Sequence, residues 1–257
     1  MLRFRCLASG SSGNATLIEA SDGLHRTRVL IDCGLGLRQL LARLAGEGLA
    51  PADLDGIFLT HEHGDHVGCA PALLARYGVP LWASAGTAAS LNLPDSERSI
   101  HQVRDGQAFA IGGVELHPFT VPHDAREPLQ LRCTDGSRTL GMATDLGHVT
   151  AHALTALTGV NALILESNHD TGLLAQSSYP EFLKRRVAGQ HGHLSNAQAA
   201  TALTTLRHER LNTVVAAHIS ERSNRPDLVC RAFSVALGCS PSEVLMAQRH
   251  GHDWLTV

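Results

Sequence analysis

The chain has no Cys-x-x-Cys pair, a single lysine, and no apolar run of membrane-spanning length. Its six cysteines (Cys6, Cys33, Cys69, Cys133, Cys230 and Cys239) are scattered. Scattered cysteines are expected as reduced, mostly buried thiols of a cytoplasmic protein, with Cys69 contributing to packing. The opening Met1-Leu2-Arg3-Phe4-Arg5 alternates apolar and charged residues like a first strand. It lacks the apolar stretch of an export signal, so neither secretion nor a membrane partner is expected. Lys184 is the only lysine, and the arginines that supply the remaining positive charge suit bidentate phosphate contacts. The net charge of -3 makes no global case for nucleic acid, so such a partner must be argued from a local site. No repeat, low-complexity tract or linker interrupts the 257 residues. A hydrophobic fraction of 44% and a charged fraction of 18% suit one globular domain over 1–257.

What is present is concentrated in Thr60-His61-Glu62-His63-Gly64-Asp65-His66, directly after the apolar run Gly56-Ile57-Phe58-Leu59. The run reads as a short buried strand, so the polar stretch emerges at its C-terminal end, where α/β sheets carry their sites. In extended chain His61 and His63 point to one side. Gly64 lets the chain turn and aims Asp65 and His66 at nearly the same volume. This donor set suits a borderline divalent cation such as zinc or manganese. Four such side chains are too many for one catalytic metal that must also hold water, which implies two adjacent metals.

Strands are expected over 2–6, 15–20, 28–31, 56–59 and 81–83, and a helix with apolar positions Leu37, Leu40, Leu41 and Leu44 closes at Gly46. Pro71 suits the first turn of a helix ending near Tyr77-Gly78, and 84–92 reads as another helix. From Ile100 to Ala143 the texture becomes short alternating runs (107–111, 114–119, 129–133 and 139–143) broken by Gly-Gly, Asp-Gly and proline, an antiparallel meander. A strand at 162–166, two helices at 179–187 and 195–206, a strand at 213–217, a helix from Pro226 and closing strands at 244–247 and 254–257 complete the chain. Ser9-Gly10-Ser11-Ser12-Gly13-Asn14, between the first two strands, is either a hairpin connection or a loop whose N–H groups meet an anion.

Three further ligand candidates follow strands: His123 after 114–119, Asp145 after 139–143 and His218 after 213–217. In Gly192-His193-Leu194-Ser195-Asn196-Ala197-Gln198 the Ser-x-x-Gln spacing is a capping box, which holds His193 beside a helix N-terminus. That position favours an anion such as phosphate, and a histidine there can give a proton to a leaving oxygen. Lys184-Arg185-Arg186 reads as a solvated helix face, ahead of the alternative of a phosphate-backbone contact. Arg222 and Arg225, just beyond His218, are better placed to meet a backbone phosphate.

His61-x-His63-x-Asp65-His66, then His123, Asp145 and His218 in that order, resembles the motif series of the metallo-β-lactamase superfamily over essentially the whole chain. The resemblance implies an α/β (α+β) fold, a four-layer αββα sandwich with a dinuclear site at one edge. It assigns His61, His63 and His123 to one metal and Asp65, His66 and His218 to the other, with Asp145 bridging, and gives Asp32 the role of bracing the metal loop. Leu7-Ala8-Ser9-Gly10-Ser11-Ser12-Gly13-Asn14, Thr144-Asp145-Leu146-Gly147-His148, Glu166-Ser167-Asn168-His169-Asp170 and Gly192-His193-Leu194-Ser195-Asn196 together resemble the YycJ/WalJ-type branch, described as 5′-to-3′ DNA exonucleases. Cys69 departs from that pattern, where a second glycine is common.

The resemblance also implies that Glu166 orients His193 and that His169 lines the substrate cleft. The expected activity is phosphodiester hydrolysis by a metal-bound hydroxide on two divalent ions, zinc, manganese or iron. Asp145, Glu166 and His193 are the catalytic candidates, and Asn14, His169, Ser220 and Arg222 the substrate-binding ones. Nucleic acid, DNA by the resemblance, is the expected substrate. The same metal site also suits a small thioester or lactone hydrolase, or an RNase Z-like RNA-processing nuclease, although no long basic insertion for gripping tRNA is present.

Overall fold

Alternating and continuously apolar runs build the first half of the chain, and the computed structural model describes residues 1–91, 100–247 and 249–257. The strands β1 (Leu2–Ala8), β2 (Ala15–Ser21) and β3 (Arg26–Ile31) form an antiparallel meander. The glycine-serine loop is the connection between β1 and β2. Helix α1 (Leu37–Gly46) buries Leu40 and Leu44, and β4 (Gly56–Leu59) is buried at every residue. There follow α2 (Gly64–Val67), α3 (Ala70–Tyr77), β5 (Leu81–Ala83), α4 (Ala85–Ser90) and β6 (Ile100–Gln102). Helix α3 has its proline in the first turn and stops at Gly78, whose φ of 69° is left-handed. The helix expected over 84–92 is α4, and its last expected residue lies outside the described residues. β3 to β6 run parallel, each return crossing through helical chain.

The second half repeats that plan. β7 (Phe109–Ile111), β8 (Val114–Thr120), β9 (Leu129–Thr134) and β10 (Thr139–Ala143) pair antiparallel in sequence order. Then come α5 (Ala151–Leu157), β11 (Ala162–Glu166), α6 (Thr171–Gln176), α7 (Glu181–Val187), α8 (Asn196–Leu206), β12 (Thr213–Ala217), α9 (Pro226–Leu237) and β13 (Leu245–Met246). From β10 to β13 the strands are parallel. β14 (Leu255–Thr256) returns to the first sheet beside β1. The orders are β14-β1-β2-β3-β4-β5-β6 and β13-β12-β11-β10-β9-β8-β7.

The core has three parts. Phe4, Ile18, Val29 and Phe58 of the first sheet meet Leu116, Leu131, Ile164 and Val215 of the second. Leu40, Leu44, Leu73 and Leu74 pack helices α1 and α3 against the outer face of the first sheet. Leu157, Leu203, Val229 and Phe233 do the same for α5, α8 and α9 on the second. Each such side chain, fully buried, contributes roughly 1.5–3 kcal/mol of transfer free energy. The layers are helix, sheet, sheet, helix, the expected αββα sandwich. Among the described residues no helix is long and apolar enough to cross a membrane, and all six cysteines are free.

Two helices after β10, α5 and α6, stand where no helix was expected. Their capping is local: Thr150 accepts from Ala153 N–H and Asp170 from Leu173 N–H. They bury so little, Ala153 and Leu157 in one and Leu174 in the other, that no apolar period develops.

Candidate active site

Parallel strands end on a common edge, and the functional candidates stand there. Asp32 follows β3, Thr60 and His61 follow β4, His123 follows β8, Asp145 follows β10, Glu166 ends β11 and His218 follows β12. Among the described residues the non-glycine residues with positive φ are Asp32 (59°), Asp145 (56°) and His218 (49°). Backbone strain of this kind persists where the surroundings over-determine it, and here it accompanies the turn of Asp145 and His218 into the donor cluster and of Asp32 onto the far side of His66.

Four overlapping donor groups converge, each with its ligand atoms within 4.8 Å of one another. One is His61, His63 and His123, and a second is Asp65, His66 and His218. A third joins His61 and His66 to Asp145, so Asp145 meets one member of each of the first two sets. The fourth is Asp145, Glu166, His193 and His218. All seven expected ligand side chains therefore come together.

The supporting contacts fix the rings. Asp32 Oδ2 lies 2.8 Å from His66 Nδ1, and Asp32 Oδ1 accepts from Thr60 N–H at 2.8 Å. Thr60 Oγ1 sits 3.0 Å from His61 Nδ1, and His123 Nδ1 lies 3.1 Å from the Gly192 carbonyl. These contacts occupy the Nδ1 atoms of His61, His66 and His123 and turn each Nε2 toward the cluster, as metal-ligating imidazoles require.

The donor chemistry fits a cation. His61 Nε2 and Asp145 Oδ2 are buried without a hydrogen-bond partner among the described residues. His218 Nδ1 lies 2.8 Å from Asp145 Oδ1 without hydrogen-bond alignment, as two donors facing a common point would. Burial holds His61 well below the usual imidazole range, with neighbouring His66 adding to it, and burial also lowers His123, so both are neutral and have free lone pairs. Burial disfavours a charge on Asp145, yet His218 and His66 outweigh it and hold the carboxyl well below its usual range. Burial likewise opposes charge on His66, but Asp145 and Asp32 raise it well above the ordinary value. The carboxylates thus demand positive charge, which a divalent metal would supply.

His193 is the outer member of the cluster. Its Nδ1 lies 2.8 Å from Glu166 Oε1, while Glu166 Oε2 accepts from Leu194 N–H at 2.9 Å. Burial works against its protonation, but Glu166 and then Asp145 overcome this and raise His193 to about 9. The capping box stands as expected, with Ser195 and Gln198 bonded reciprocally at the start of α8.

The substrate-binding candidates divide. Asn14 Nδ2 donates to the Asp65 carbonyl at 3.2 Å and sits 3.1 Å from His66 Nε2, beneath the metal loop. Ser220 is buried and its Oγ accepts from Ser223 N–H at 3.2 Å. Arg222 is exposed, with its guanidinium 5.8 Å from the Tyr179 ring centroid, and Arg225 pairs with Asp227 at 3.3 Å. His169 lines a neighbouring cavity. The cavity over the donor groups, about 180 Å³, is lined instead by Ser11, Asp124, Arg186 and Gly192 beside the histidines and aspartates. Asp124 was not singled out from the sequence, and Arg186 was read there as part of a solvated helix face. They form an ion pair at the mouth, and Asp124 Oδ1 is 3.5 Å from His123 Nε2. Arg186 is thus part of the site rather than only a solvated face; the signal that could have found Asp124 is its place directly after His123. Cys69, for its part, packs: its Sγ is 3.3 Å from that of Cys33.

A sandwich of two mixed sheets with a histidine- and aspartate-rich site across the strand ends defines a metal-dependent hydrolase class. The family model for the beta-lactamase superfamily domain matches residues 27–219. The chain belongs to that superfamily. It is 32% identical over 241 residues to "Exodeoxyribonuclease YycJ" of Bacillus anthracis, covering 92% of this chain and 89% of the relative. It is 30% identical over 233 residues to "Exodeoxyribonuclease WalJ" of Streptococcus pneumoniae, covering 88% and 84%. The crystal structure of the metallo-β-lactamase fold protein YhfI from Bacillus subtilis matches its fold with a TM-score of 0.76 at 15% identity, covering 99% of this chain and 98% of that one.

Proposed function

We propose that the chain, acting as one domain over 1–257, is a metal-dependent nuclease of the cytoplasm that shortens DNA from the 5′ end. The observation that carries the hydrolytic part is the convergence of the donor groups on one cavity around Asp145. The relatives named exodeoxyribonucleases support nucleic acid, and DNA in particular, as the substrate.

His61, His63 and His123 would hold one divalent ion and Asp65, His66 and His218 a second, with Asp145 between them; zinc and manganese both suit such ligands. When bound, the ions supply Lewis acidity and a water of lowered pKa. The protein's own residues supply the rest. Asp32 and Thr60 hold the rings of His66 and His61 in place. Glu166 occupies Nδ1 of His193, so Nε2 is the atom left to face a phosphate. A protonated His193 gives that proton to the leaving oxygen as its bond to phosphorus breaks and the water oxygen takes its place. Arg186, at the mouth, adds a charge that complements the phosphate of the approaching strand.

The test is a metal-reconstituted assay on 5′-labelled and 3′-labelled DNA and RNA, single- and double-stranded, beside a thioester panel. DNA carrying a 5′ label should release it early, and DNA labelled at 3′ should shorten progressively. Asp65→Ala and Asp145→Ala should abolish both. Wild-type rates in those variants after chelation and metal repletion, or faster turnover of thioesters than of DNA, would overturn the proposal.

A further inference from the structure

Cutting a polynucleotide needs room for more than a phosphate. The cavity of about 180 Å³ over Asp145, His193 and His218 is smaller than the roughly 300–1,000 Å³ of pockets that enclose a whole small ligand, so the nucleoside attached to a bound phosphate lies against other surface. Across α7 lies a second cavity, of about 340 Å³. The helix contributes to both: Arg186 and Val187 line the first, and Glu181, Lys184 and Arg185, with Ala188 just beyond the helix, line the second. β11 also links them, because Glu166 at its end holds His193 and His169, just beyond, lines the second cavity. Two other large cavities share no lining residue with the donor cluster.

The second cavity combines three chemistries. Leu174, Ala175 and Ala188 give it an aliphatic wall. Lys184, Arg185 and Glu181 line its charged side, which is positive on balance, and the lysine is fixed there: Nζ donates to the Ala175 carbonyl at 2.6 Å and pairs with Glu181 at 3.2 Å, which leaves Arg185 as the cation without an acidic partner in the lining. His169 is 1% exposed, and its Nδ1 has no hydrogen-bond partner among the described residues. A buried ring nitrogen left unpaired carries a desolvation cost that a ligand's hydrogen bond removes. An apolar wall, a buried polar atom and a net positive charge together match a molecule with an aromatic face, polar edges and a phosphate.

We propose that this second cavity is the subsite for the terminal nucleotide of the strand being cut. The base lies against Leu174, Ala175 and Ala188, His169 Nδ1 bonds to the base or sugar, and Lys184 and Arg185 stand beside the terminal phosphate. The proposal rests on the nuclease reading and adds to it where the strand end sits. A strand bent over α7, with its end in one cavity and its scissile phosphate in the other, would give cleavage close to the terminus.

The test is calorimetric titration of thymidine 5′-monophosphate and, separately, inorganic phosphate into metal-stripped protein. The proteins compared are the wild type, Ala175→Trp, Ala188→Trp and His169→Ala. Both alanines are exposed, so the added rings fill the cavity without entering the core. The nucleotide should bind the wild type about tenfold more tightly than phosphate does, and that advantage should vanish in both tryptophan variants. It should shrink in His169→Ala; if that variant fails to fold, the tryptophan variants decide. In metal-loaded protein Ala188→Trp should raise KM for strand ends about tenfold with little change in kcat. Equal affinity for nucleotide and phosphate, or wild-type nucleotide binding in Ala188→Trp, would overturn the subsite. Absence of nuclease activity from the metal-loaded wild type overturns the nuclease reading instead, and nucleotide binding to the metal-free protein still reports on the cavity.

Discussion

Asp32 stands in a left-handed backbone conformation with its Oδ2 2.8 Å from Nδ1 of His66, and its Oδ1 accepts from the backbone N–H of Thr60. One carboxylate therefore orients an imidazole and pins the start of the metal loop. Replacing Asp32 with alanine should lower metal affinity about 10–100-fold, the usual cost of losing a partner that orients a ligand. Asp32→Asn keeps the shape and loses the charge, so it should fall between alanine and wild type. Metal titration with a competing chelator measures both, and unchanged affinity in Asp32→Ala would mean that Thr60 and Asn14 suffice.

Chelation should destabilise the protein. Asp145 and His218 hold strained backbone, and Asp145 is a buried carboxylate that the neighbouring His218 and His66 compensate. A ligand that binds only the folded state stabilises it by about 2.7 kcal/mol at a free concentration 100-fold above its Kd. Calorimetric Tm should drop on metal removal and be restored by two equivalents of zinc or manganese per chain. Full restoration by one equivalent would count against a dinuclear site.

The first cluster was legible because its members are local: His61, His63, Asp65 and His66 stand out as ligand candidates by spacing alone, and their donor atoms lie in the converging groups. His123, Asp145 and His218 were legible only as a series, each being an ordinary residue after a strand until the order is seen together. The capping box at Ser195 was readable because N-cap chemistry is short-range. Asp124 and Arg186 were not, because their pairing spans 62 positions and depends on how α7 lies over the site. Asn14 was expected to face substrate, yet its amide bonds beneath Asp65, a consequence of loop packing that no local pattern encodes.

His193 supplies a pH signature. Glu166 and Asp145 raise its pKa to about 9 against the opposing effect of burial, so it is protonated at neutral pH. Bound cations beside Asp145 would set this pKa lower in the loaded protein, and a step that uses this proton runs at full rate below the loaded value and fails as the pH climbs through it. Glu166→Gln removes the larger of the two charges that raise it, so the alkaline limb of kcat should move to lower pH. His193→Gln should remove that limb and cost about 10²–10⁴ in kcat. A limb that stays in place in Glu166→Gln would assign it to another group.

Gly34 sits where three backbones meet. Its N–H donates to the Asn14 carbonyl at 2.8 Å, and the next residue, walking back, donates from Cys33 N–H to the His66 carbonyl at 2.7 Å. A Cβ at Gly34 would fall 1.7 Å from the Asp65 carbonyl oxygen and 2.8 Å from the Asn14 nitrogen. Neither neighbour is a flexible side chain, so the metal loop itself must shift. Overpacking costs about 1–3 kcal/mol where side chains can yield, and Gly34→Ala should reach at least the top of that range. Because the displaced atom belongs to Asp65, metal affinity should fall with stability. Gly36→Ala is the control: a Cβ there meets nothing within 4 Å, and its φ of -64° suits any residue. Thermal unfolding and metal titration on the two variants separate the explanations. Loss of Tm in Gly34→Ala with metal affinity intact would show that the loop reaches its liganding geometry without the close approach of Gly34.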